Sequence, residues 1–111
     1  MTLNEALDMA VRTDPGLVRP HNEDAAFADA ALGLAIVADG MGGYNGGEVA
    51  SGMATALLAG SLVGTLDERE PQQVDADGVR VARRQLRDRL DVANAEIYFA
   101  GQNQPQLSGM G

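Results

Sequence analysis

Five glycines fall within the eight residues from Gly40 to Gly47. No helix or strand tolerates that density in its interior, because each glycine gives up more backbone freedom on ordering than any other residue. The segment therefore separates two elements, and its flanks say which. On one side, Leu34 to Ala38 is an uninterrupted apolar run bounded by Gly33 and Asp39, the pattern of a buried strand. On the other, from Glu48 onward, Val49, Ala50, Met53, Ala54, Leu57, Leu58 and Leu62 recur at three- and four-residue spacings. That spacing predicts a largely buried helix with Glu48 beside its positive end.

The remaining segments attach to this strand, loop and helix. Ala6 to Thr13 nearly alternates apolar and polar residues, which predicts a strand, and Asp14-Pro15-Gly16 predicts a turn after it. Ala25 to Ala28 is a second short strand joined to the next by a tight connection over Asp29 to Gly33. Asp67 to Asp77 is polar, contains Pro71 and reads as a surface connection. Between Gly78 and Gly101, Val79, Ala82, Leu86, Leu90, Ala93, Ile97 and Ala100 form one apolar helical stripe. Arg80, Arg83, Arg84, Arg87, Asp88 and Asp91 fall mainly elsewhere on that helix and read as a solvated face, with a docking site for an acidic partner as the lesser reading of the arginines. Gln102 to Gly111 is polar, holds Pro105 and has no period of its own. These elements describe an α+β chain, and 111 residues leave room for one small domain.

Composition removes several function classes. Eight basic against sixteen acidic residues give a net charge of -8, which repels the phosphate backbone and argues against nucleic acid as a partner. The absence of cysteine excludes disulfides, thiolate metal sites and a cysteine nucleophile. Asn4, Glu5 and Asp8 interrupt the first ten residues, unlike a secretory leader. The longest mainly apolar stretch, Met53 to Leu66, is too short and too interrupted to cross a bilayer. A cytoplasmic chain without a membrane anchor is expected.

Two clusters carry chemistry. Arg19-Pro20-His21-Asn22-Glu23-Asp24 sets a guanidinium just before two adjacent carboxylates. A planar fork of donors suits a phosphoryl group, and carboxylates suit a hard divalent cation; a surface ion-pair network would use the same residues. Asp39-Gly40-Met41-Gly42-Gly43 places a carboxylate at the end of a strand, with a glycine that leaves its own carbonyl uncrowded as a further oxygen donor. Taken alone, Asp-Gly is also a simple hairpin turn. Nucleotide loops fit neither cluster: a dinucleotide fingerprint from Gly40 meets Asn45 where a glycine belongs, and a phosphate loop lacks its lysine.

With Thr13-Asp14-Pro15-Gly16-Leu17-Val18-Arg19-Pro20-His21-Asn22-Glu23-Asp24, then Ala38-Asp39-Gly40-Met41-Gly42-Gly43, then Ser108-Gly109-Met110-Gly111, the chain resembles the bacterial branch of the metal-dependent protein phosphatases, the protein phosphatase 2C family. The resemblance implies a four-layer α-β-β-α sandwich of two antiparallel sheets with a two-metal site between them, using Mn2+ or Mg2+. It implies that Arg19 binds substrate phosphate, Asp39 bridges both metals, the Gly40 carbonyl ligates one, and Glu23 and Asp24 hold metal-bound water. The implied reaction is hydrolysis of phosphoserine and phosphothreonine in proteins by metal-activated water, opposing a serine/threonine kinase. Met41 stands where eukaryotic members carry a histidine, and His21, the only histidine, does not match a catalytic position. The family's remaining aspartate ligands lie in C-terminal motifs not present here, and Asp67, Asp75, Asp77, Asp88 and Asp91 lie on the polar connection and long helix instead. Residues 1–111 are therefore expected to be a partial domain, inactive alone. The alternative is a non-catalytic module that binds a metal, a phosphoprotein or a partner chain.

Overall fold

The computed structural model describes residues 2–66 and 76–111. A short helix, α1 (Leu3–Ala6), leads to a long extended stretch. Two strands, β1 (Asp24–Asp29) and β2 (Leu34–Asp39), and two long helices, α2 (Gly46–Leu66) and α3 (Ala76–Asn103), follow, and a 3-10 turn over Pro105–Leu107 comes last. The α+β class read from the sequence is observed. The expected surface connection over Asp67 to Asp77, with Asp67 and Asp75, lies outside the described residues except for Ala76 and Asp77, the first two residues of α3.

β1 and β2 pair antiparallel in a two-stranded sheet, from Asp24 opposite Asp39 to Asp29 opposite Leu34. The connection is tight because Asp29 Oδ1 accepts from the Ala31 and Leu32 N–H groups at 2.9 and 3.3 Å, while Gly33 takes a φ of +64°. Leu3 Cδ1 would lie 3.2 Å from a Cβ on Gly33, so α1 rests on this turn.

Alternation along the strands gives the sheet two unlike faces. Leu34 and Ile36 pack with Leu57, Leu58, Leu62 and Ala93 of the helices. The other face carries Ala35, Val37 and Asp39, all exposed, and Val37 retains 83% of its accessible surface. The expected buried strand is thus covered on one side only; its continuous apolar run suits two covered faces, and one layer of helices supplies one cover.

The segment from Ala6 to Thr13 forms no strand. Its alternation is real, but the segment joins neither free edge of the β1–β2 sheet. Ala6 closes α1, and residues 10–20 are exposed with no ladder partner. The turn expected at Asp14-Pro15-Gly16 is present: Asp14 Oδ1 accepts from the Gly16 N–H at 2.8 Å and Gly16 has φ +78°.

α2 and α3 form an antiparallel hairpin, since Ala50 near the start of α2 clusters with Ile97 and Ala100, whereas Leu58 and Leu62 meet Ala93. The apolar stripe of α3 is buried at Ala93, half-buried at Ala82, Ile97 and Ala100, and open at Val79, Leu86 and Leu90. α2 also starts earlier than its apolar pattern, taking in Gly46 and Gly47, and it buries one face, Ala50, Ser51, Leu58 and Leu62, rather than most of its surface.

The tail read as polar and patternless is part of the core. Leu107 and Met110 are buried with Ala50, against Val49, Met53, Ile97 and Ala100. Two apolar residues three apart, one ending a 3-10 turn and the other beyond it, present no helical or strand period to detect.

Candidate functional site

The sheet pairing continues one step past β1 and β2. The Gly40 N–H donates to the Glu23 carbonyl at 2.9 Å, so Asp39-Gly40 extends the ladder and is not a hairpin turn. A Cβ at position 40 would lie 1.9 Å from the Gly47 carbonyl oxygen and 2.6 Å from that of Glu23. Glycine is required there because three backbone segments converge. No hydrogen bond to the Gly40 carbonyl is made among the described residues, which leaves that oxygen free to accept.

Asp24 and Asp39 are register partners. Directly opposed residues in an antiparallel pair project to the same face with Cβ atoms roughly 4.5–5.5 Å apart, here the open face, where both are exposed. Glu23, one residue earlier, falls on the opposite side. A Cβ on Gly47 would lie 2.7 Å from Glu23 Cδ and 3.0 Å from its Oε2. The Glu23 carboxylate therefore rests against the first turn of α2, where the helix dipole favours a negative group. The two adjacent carboxylates in the sequence are split between the faces, while the two distant ones are brought together.

The loop before β1 is tied down by side chains that the sequence reading passed over. Asn22 Nδ2 donates to Thr13 Oγ1 at 2.8 Å, Asn22 Oδ1 accepts from the Asp24 N–H at 3.0 Å, and Thr13 Oγ1 donates to the Asp24 carbonyl at 3.4 Å. These bonds fasten both ends of the loop that carries Arg19. An Asx pattern two residues before a strand was the available signal. Arg19 itself is exposed and makes no ion pair among the described residues, where the pairs are Arg12–Asp14 and Arg80–Asp77 at 4.0 Å. The ion-pair network that the first cluster could have formed is absent among the described residues. His21 is exposed within this loop.

The Ser108–Gly111 segment also reaches the site. The Met41 N–H donates to the Gly111 backbone oxygen at 2.7 Å and the Gly111 N–H to the Met41 carbonyl at 2.9 Å, a reciprocal antiparallel pair. Met110 lies 3.2 Å from a Cβ position on Gly46, so the tail clamps the glycine loop from the α2 side. In that loop Tyr44 is exposed with φ +54°.

The residues fit hard cations in kind, since Asp24, Asp39 and the Gly40 carbonyl are all oxygen donors. In number they are a partial set: among the described residues no group of three or more His, Cys, Asp or Glu could share a metal ion. No helix among them is long and apolar enough to cross a membrane.

Comparison with known proteins finds bacterial serine/threonine phosphatases. The chain is 42% identical over 105 residues to the serine/threonine protein phosphatase PstP of Mycobacterium tuberculosis, covering 95% of this chain and 18% of PstP. It is 35% identical over 103 residues to the serine/threonine phosphatase stp of Listeria monocytogenes, covering 90% of this chain and 38% of that protein. No family model matches. By these alignments the chain is similar to part of two bacterial serine/threonine phosphatases, and it spans well under half the length of either relative.

Proposed function

We propose that this chain is part of a metal-dependent protein phosphatase that hydrolyses phosphoserine and phosphothreonine in protein substrates. The observation that carries the reading is the in-register pair Asp24 and Asp39 on the open sheet face. Similarity to PstP and stp supports the reaction class. In this reading Asp39, Asp24 and the Gly40 carbonyl hold divalent cations, Mn2+ or Mg2+. Such cations, when bound, supply an activated water and neutralise charge on the phosphoryl oxygens.

The chain's own residues bind and orient. Arg19 forks onto the phosphate from the tethered loop. Glu23, held against α2, orients water at the edge of the site. Met41 has no proton to give, so the leaving group is protonated by another donor. The two-stranded sheet becomes part of an antiparallel sheet in a four-layer sandwich, with residues 1–111 forming a partial domain whose open face meets the rest. The substrates are phosphoproteins made by a serine/threonine kinase in the cytoplasm.

The test is turnover of p-nitrophenyl phosphate by the 111-residue chain and by a longer version carrying the family's C-terminal motifs, each with manganese and with chelator. Manganese-dependent turnover by the longer version alone is expected. Equal turnover by both would contradict the partial donor set, and none by either would overturn the reading. A non-catalytic module is favoured by one observation, the lack of a third clustered acidic ligand among the described residues; manganese binding by a longer version without turnover would select it.

A further inference from the structure

The first half of α3 combines two features that the phosphatase reading does not use. Its apolar stripe is open, with Leu86 at 44% and Leu90 at 48% exposure in line with Val79. Arg83 and Arg87 border that stripe at three- and four-residue spacings, Arg80 and Arg84 extend the row outward, and Arg89 lies on the other flank. All five arginines are exposed. Among the described residues only Arg80 has an ion-pair partner, Asp77. The stretch is net positive within a chain of net charge -8.

We propose that this face of α3 docks an acidic amphipathic segment of a partner protein, whose carboxylates meet the arginine row while its apolar residues cover Leu86 and Leu90. Charge complementarity selects the occupant. Arginine forks pair bidentately with carboxylates, and the open stripe requires apolar groups between them, which a simple polyanion lacks. A membrane surface fits less well: Asp91 falls within the row and Asp77 at its edge, and the stretch has no lysine and no aromatic anchor. The proposal stands independently of the phosphatase reading.

The experiment uses the 111-residue chain and a fluorescent synthetic helix with glutamate on one face and leucine on the other. An all-glutamate peptide and phosphatidylserine vesicles are the comparison probes. Saturable binding of the glutamate-leucine helix is expected, weakened by raised salt and by about tenfold or more in Arg83→Gln/Arg87→Gln and in Leu86→Gln/Leu90→Gln. Helicity by circular dichroism confirms that both variants stay folded. No saturable binding overturns the proposal, as does equal binding of the all-glutamate peptide. Binding to vesicles in preference to the peptide, or self-association through this face without peptide binding, also overturns it.

Discussion

Asp24 and Asp39 stand directly opposite one another at the open end of the β1–β2 pair, two like charges in adjacent cross-strand positions. Like charges so placed repel, and nothing in the sheet itself needs them. Replacing one should therefore have opposite effects on stability and on binding. For Asp39→Asn, stability in chelator is expected to rise by about 0.5 kcal/mol, read from urea midpoints, while manganese affinity in the longer protein falls at least tenfold. Lower stability together with unchanged manganese affinity would assign Asp39 to the fold.

Gly40 is fixed by contact. A methyl group there meets the Gly47 carbonyl at 1.9 Å, a backbone atom that cannot swing away. Gly40→Ala should cost about 3 kcal/mol or more, or prevent folding. Gly43, where a Cβ meets nothing within 4 Å, is the control, and its alanine variant should lie close to the parent in thermal melts.

Met110 holds the tail to the α2–α3 hairpin with 8% of its surface exposed. Met110→Ala should lose about 2–3 kcal/mol, measured by denaturant unfolding. It should also raise amide exchange at Met41, because the Gly111 partner is no longer anchored. A stability loss with unchanged exchange at Met41 would separate the tail from the loop.

Arg19 is exposed and tethered only through its loop. In the longer phosphatase, Arg19→Ala should raise KM about tenfold or more, the loss expected for one charge-assisted contact, while manganese affinity and unfolding midpoint stay put. A collapse of manganese affinity would place Arg19 at the cations instead.

Legibility followed the range of the interactions. β1 and β2 were readable almost to the residue because Gly33 and Asp39 bound a run whose composition is decided locally. The Asp14-Gly16 turn was readable for the same reason. What failed depended on partners. Ala6 to Thr13 has a strand's alternation and pairs with neither free edge of the sheet. The stripe of α3 is periodic throughout, yet Ala93 is buried and Leu90 is open, a difference that the spacing does not carry. Leu107 and Met110 are buried by what they meet, with no pattern of their own. Within the candidate site, the acidic residues were legible but not their grouping: neighbours Glu23 and Asp24 part, and Asp24 finds Asp39 only once register is set.

The Met41–Gly111 bonds join residues about 70 positions apart, and so affect the order in which the molecule assembles. The β1–β2 hairpin closes over a few residues and the α2–α3 hairpin over a moderate span, both early events in a chain whose rate is set by contact separation. The tail has nowhere to bind until Ala50, Ile97 and Ala100 have come together. Its clasp on the glycine loop is therefore the last to form and the first to let go. In pulsed hydrogen exchange the Met41 amide would lag those of β2, and the neighbourhood of Asp39 would acquire its fixed shape only at the final step of folding.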